Sequence, residues 1–197
     1  MTQKFKSLLF PSVIIFIAAI ISFLNYTPGT FITGWDTLHP EFNFSQSFSN
    51  IFFGAFRTDQ GLGAVAAHAH MAELPRIILL WLLSFALPLS LLRSAIVFLC
   101  LILGPLGVYF FIKHIFKANG QLPALRSEAT NGSASLGSLV YLFNLGTVQH
   151  FYVPFEMFLV QYASLGWLFL LAARFMEKRS LKILILFAIA SFLASPM

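Results

Sequence analysis

The residues best suited to chemistry lie between Thr27 and about Ala72, where apolar density falls and Asp36, His39, Glu41, Arg57, Asp59, His68 and His70 occur among aromatic residues. The densest piece is Thr33-Gly34-Trp35-Asp36-Thr37-Leu38-His39-Pro40-Glu41-Phe42-Asn43, which follows closely on an apolar run. An acid there meets both water and lipid headgroups. Gly34 permits a sharp turn, Trp35 suits an interface and Pro40 stiffens the exit, so Asp36 is expected at a defined height over a membrane. A carboxylate in that place can accept the proton of an attacking hydroxyl while a cation steadies a leaving phosphate. Arg57 and Arg76 are the candidate cations, with His39, Glu41 and Asp59 as further substrate contacts. The plainer reading of Asp36 is a turn-forming or helix-capping residue in an ordinary loop.

Other polar clusters point less far. His68-Ala69-His70 and Glu73 invite a metal reading, because His70 and Glu73 are three apart and share a helix face. His68 and His70 point about 200° apart on a helix, however, and no metal site is assigned. His150 and Glu156 flank Phe151-Tyr152-Val153-Pro154 and read as interfacial loop residues. Cys100 is the single cysteine, so neither a disulfide nor a cysteine metal site can form within the chain. A glycine-rich phosphate loop, a Ser-His-Asp order and a cysteine nucleophile are absent from the sequence; no organic cofactor is expected, and a divalent metal stays open.

The elements that must hold these residues are apolar helices. Of 197 residues 58% are hydrophobic and 10% charged, with mean hydropathy +0.84, whereas soluble domains average about 25% charged. Continuous apolar runs, without strand-like alternation, predict membrane-spanning helices. They cover about 8–25, 74–92, 94–116, 134–150, 153–173 and 181–197, giving five or six crossings in a single transmembrane domain. Only Arg93 separates the second run from the third, which suggests a tight hairpin, and Gly104-Pro105-Leu106-Gly107 is expected to kink the third. Residues 117–132 read as a polar loop. Gly104, Gly107 and the stretch Gly132 to Gly137 are candidate points of close helix approach. Within the first loop, Phe48, Ile51, Phe52, Ala55 and Phe56 recur at helical spacing and predict a short amphipathic helix along the interface. The last run reaches Met197 without a polar anchor, which suggests an N-terminal part of a longer protein.

The net charge of +5 belongs to basic residues between apolar runs, a pattern of headgroup contact and membrane orientation rather than nucleic-acid binding. Lys4 and Lys6 place the N-terminus in the cytoplasm and the loop at about 27–72 outside the cell membrane. Strict alternation of six spans then puts the basic segments 113–128 and 174–182 outside, against the charge rule. A merged or re-entrant segment between 74 and 116 would repair both.

A first span followed by a large extracytoplasmic loop with Gly34-Trp35-Asp36, an amphipathic helix and then closely spaced helices resembles the N-terminal part of GT-C superfamily glycosyltransferases. Within these it is most similar to bacterial membrane proteins related to the arabinofuranosyltransferases and to the YfhO group. The resemblance implies an all-α, polytopic helix bundle. It also implies transfer of a sugar from a polyprenyl-phosphate-linked donor to a cell-envelope glycan or lipid acceptor on the extracytoplasmic side. Asp36 would then be general base or acceptor-orienting group. The chain departs from the paired acids common in such loops, having no Asp-x-Asp or Asp-Glu pair there. A transporter or flippase, or a noncatalytic membrane scaffold, are the alternatives, and of the mid-span features only Gly104-Pro105 fits transport.

Overall fold

The computed structural model describes residues 3–34, 39–53, 56–57, 64–65, 73–118, 125–154 and 156–194. Asp36, Asp59, His68 and His70 lie outside these residues, and the Arg57 and Glu156 side chains are outside the described set as well.

Among the described residues the chain is helical, apart from an antiparallel pairing of Phe56–Arg57 with Ala64–Val65. Helix α1 (Gln3–Leu24) is apolar along most of its length. The Ser22 hydroxyl and the Asn25 amide donate back to the carbonyls of Ala18 and Ile21, each at 2.8 Å, so the polar groups at its end are satisfied locally. Gly29 turns the chain with φ +76°, a left-handed value that favours glycine. A single 3-10 turn at Pro40–Phe42 leads into α2 (Phe44–Phe53). This helix covers the first part of the stretch where sequence spacing predicts an amphipathic helix, but Phe56, expected to continue it, pairs with Val65 as a strand instead; α2 buries Ile51 and leaves Phe52 and Phe53 exposed.

The region from 74 to 116 differs from the sequence expectation. Helix α3 (Leu74–Leu83) has only 10 residues, and after a turn α4 runs unbroken from Leu89 to Ala118 over 30 residues, about 45 Å. Arg93 therefore lies inside α4 and separates no two helices. Pro105 sits within α4, where its ring removes a backbone donor. Nearby carbonyls find partners on other helices: the Ser138 hydroxyl donates to the Pro105 carbonyl at 2.6 Å and Trp167 Nε1 to that of Leu103 at 3.0 Å.

Helix α5 spans Leu125–Phe143, so much of the expected polar loop is helical, and the run expected at 134–150 is interrupted at Asn144. Packing overrides the weak helix propensity of this stretch: Ala134 and Ser138 are fully buried, and Asn131 accepts from the Tyr109 hydroxyl of α4 at 3.2 Å. Asn144 caps α6 (Leu145–Tyr152) by accepting from the Thr147 amide at 3.0 Å. Helices α7 (Glu156–Glu177) and α8 (Leu181–Leu193) complete the set.

Contacts fix the directions. Phe10 and Ile14 of α1 meet Leu106, Tyr109 and Ile112 of α4 and Ala134 of α5. The other end of α1, Ile21 to Asn25, lies beside Val97, Leu101 and Leu142. Helices α1 and α5 thus run together, antiparallel to α4. Helix α7 runs with α4, from Leu159 near Val97 to Glu177, whose Oε1 lies 3.2 Å from His114 Nε2. At their crossing the backbones touch: a Cβ on Gly166 would land on the Gly107 carbonyl carbon and the Val108 amide nitrogen. Gly104 faces the Tyr162 ring in the same way, Gly137 faces the end of Ile112, and Gly132 faces open space.

By length and composition, Leu89–Lys117 and Phe158–Glu177 can each cross a membrane. Leu8–Leu24, Leu74–Leu83 and Leu181–Leu193 are shorter apolar helices. Beyond Lys182 in its first turn, α8 is apolar apart from Ser191 and buries none of its residues, which suits hydrocarbon surroundings better than water.

Candidate functional site

The first loop meets α3 and α4 through four buried charged side chains. Glu73 precedes α3, and Arg76 stands three residues on, on the same helical face; Arg76 Nη2 donates to Glu73 Oε1 at 2.8 Å. Glu41 lies in the 3-10 turn, its side chain 1% exposed, with Oε1 at 3.1 Å from Arg93 Nε and 3.3 Å from His39 Nδ1. Arg93 Nη2 also donates to Glu41 Oε2 at 3.5 Å, and Nη1 to the Ile32 carbonyl at 3.3 Å. Two carboxylates thus balance two guanidinium groups, the condition under which buried charge is tolerated.

Arg76 and Arg93 share a small void walled by Leu80, Ile96, Val97, Leu159 and Val160. Two larger cavities flank α4. One, of about 460 Å³, runs among α3, α4, α7 and α8; Glu73 and Arg76 are its charged lining, and Leu79, Leu82, Leu99 and Leu103 part of its apolar wall. The other, of about 550 Å³, lies among α1, α4, α5 and α6 beneath Ile32 and Thr33. Its polar lining includes Ser22 and Asn25, which donate to carbonyls of α1, and Thr147 of α6, which donates to the Tyr141 carbonyl near the end of α5.

Of the residues selected from sequence, His39, Glu41 and Arg76 come together here, gathered around Arg93. Asp36 and Asp59 lie outside the described residues, and Arg57 enters only through its backbone pairing with Ala64. Arg93 was missed because a lone arginine between apolar runs looks like a hairpin marker. The usable signal was its isolation: it is the one charged residue from Ile77 to Ile112, and an ionisable group in such a run marks a site by default.

Among the described residues no group of three His, Cys, Asp or Glu side chains is placed to hold a metal ion. Glu73, considered from sequence beside His70, is engaged by Arg76. His150 Nδ1 donates to the Gly146 carbonyl at 2.6 Å, so this histidine is satisfied within α6.

Comparison with protein-family models, curated proteins and solved structures finds no match. Functional reading of this chain therefore rests on the site itself.

Proposed function

We propose that the chain is the membrane-embedded N-terminal part of a GT-C-like glycosyltransferase. It transfers a sugar from a polyprenyl-phosphate-linked donor to a glycan or lipid acceptor on the extracytoplasmic side. The observation that carries this reading is Arg76, held by Glu73 beside an apolar cavity of about 460 Å³ and next to the docked end of the first loop. A phosphate on a long apolar chain needs that pairing of a cation with a hydrocarbon-lined groove. In this reading Arg76 steadies the phosphate, Asp36 takes the proton of the acceptor hydroxyl, and His39, Glu41, Arg57 and Asp59 complete the substrate surface.

Charge sorting supports the orientation. With α4 as one crossing and α3 a short inward turn, Lys4, Lys6, Lys113, Lys117, Arg126, Arg174, Lys178, Arg179 and Lys182 fall at helix ends on one side. These are nine of the 12 lysines and arginines. That side is the cytoplasm by the charge rule, and the first loop faces outward. The clash that six alternating spans produce does not arise. Transport has less support, because Gly104 and Pro105 are buried, with the Tyr162 ring packed against Gly104 and Ser138 bonded to the Pro105 carbonyl.

The test is transfer of labelled sugar from a defined polyprenyl-phosphate donor by purified full-length protein in liposomes. Asp36→Asn is expected to lower the rate at least about 100-fold while elution and thermal unfolding stay unchanged. Wild-type transfer by that variant would remove Asp36 from the mechanism. Lack of transfer by the wild type across lipid-linked sugars would overturn the reading itself.

A further inference from the structure

We infer that Arg93 is a positioning residue that ties two points of the first loop, the Ile32 carbonyl and the Glu41 carboxylate, to α4 and to each other with one guanidinium. Its role in transfer rests on the function proposed above; its role in loop closure does not. A guanidinium in the second turn of an apolar helix needs partners, and two of those of Arg93 come from far along the chain. Ile32 is 61 positions away and Glu41 52. Nη1 donates to the carbonyl at the start of the stretch and Nη2 to the carboxylate at its end, whose other oxygen lies 3.1 Å from Nε in ionic contact.

Nine residue steps of extended chain would reach about 30 Å. Here both ends meet one planar group, and the flanking residues confirm the closure: the Phe31 and Phe42 rings sit 5.2 Å apart between centroids. His39 braces the same Glu41 oxygen from the loop side. The anchored Ile32 and Thr33 then form part of the wall of the cavity of about 550 Å³, together with Val97, one turn beyond Arg93.

The fork shape is what the geometry requires. Guanidinium presents several donors in fixed directions, so one face can serve a carboxylate while another nitrogen serves a carbonyl. A lysine ammonium is a single point and cannot span the two sites. A role in charge balance alone would be rescued by Arg93→Lys; loop closure would not.

Disulfide trapping reads the closure directly. Phe31→Cys and Phe42→Cys are introduced together into the full-length protein, with Cys100→Ala, in detergent micelles, and the rate of oxidative cross-linking is followed. With Arg93 present the pair is expected to cross-link rapidly. Arg93→Met and Arg93→Lys are both expected to slow it at least about tenfold, with thermal unfolding recorded alongside. An unchanged rate in Arg93→Met, or recovery in Arg93→Lys, would overturn the inference.

Should both Arg93 variants unfold, Glu41→Gln decides: it keeps the side-chain shape and the Ile32 bond. A several-fold slowing supports the clamp, and an unchanged rate refutes it. In the transfer assay Arg93→Lys is expected to lower kcat at least about tenfold with KM for the donor unchanged. Lack of transfer by the wild type would sink the catalytic reading and leave the cross-linking result to judge the clamp alone.

Discussion

Replacing Gly166 with leucine is expected to destabilise the protein by about 3 kcal/mol, at the upper end for overpacking. The reason is backbone: the first carbon of the new side chain would land on the Gly107 carbonyl carbon and the Val108 amide nitrogen, neither of which can rotate away. Helices α4 and α7 must then separate along the crossing that also carries the Trp167 bond to the Leu103 carbonyl. Denaturant unfolding in micelles, followed by tryptophan fluorescence, measures it. Gly132→Ala is the control, because nothing lies near the added carbon and alanine favours a helix by about 1 kcal/mol over glycine. A Gly166→Leu protein within about 0.5 kcal/mol of wild type would contradict the crossing.

Glu41→Ala is expected to destabilise by a similar amount, about 3 kcal/mol, because it removes a buried carboxylate from a buried guanidinium. Charge, more than volume, drives this loss. The double replacement Glu41→Leu with Arg93→Met removes both charges and is expected to recover much of the stability, even though loop closure is lost. The cycle of single and double variants, measured by the same unfolding assay, separates the two effects. Additive losses across the cycle would show that the two side chains are not coupled.

Helical class, the approximate placement of the apolar segments and the short helix at Phe44–Phe53 could be read from composition and spacing, because those signals are local. Glu41, His39 and Arg76 were also legible as polar residues in or beside the first loop. Their gathering around Arg93 was not, since the partners lie 52 and 61 positions from Arg93 and no local pattern joins them. The error at 74–116 has a physical cause: both α3 and the start of α4 are apolar, so hydropathy alone cannot tell one long helix and a short one from two equal spans. The helical start of α5 at Leu125 was hidden for the opposite reason. Its polar, glycine-bearing sequence looks like loop until Tyr109 and the Pro105 carbonyl supply partners for Asn131 and Ser138.

The proposed chemistry depends on one arrangement, with the first loop on one side of a membrane and the basic helix ends on the other. Labelling by a membrane-impermeant maleimide tests it, using full-length protein with Cys100→Ala in sealed right-side-out vesicles. Thr27 and Lys178 are both exposed, one at the start of the loop and the other beyond the end of α7. Thr27→Cys is expected to label at once, and Lys178→Cys only after the vesicles are opened. Labelling of both before opening, or of Lys178→Cys alone, would contradict the arrangement and with it a donor site facing outward.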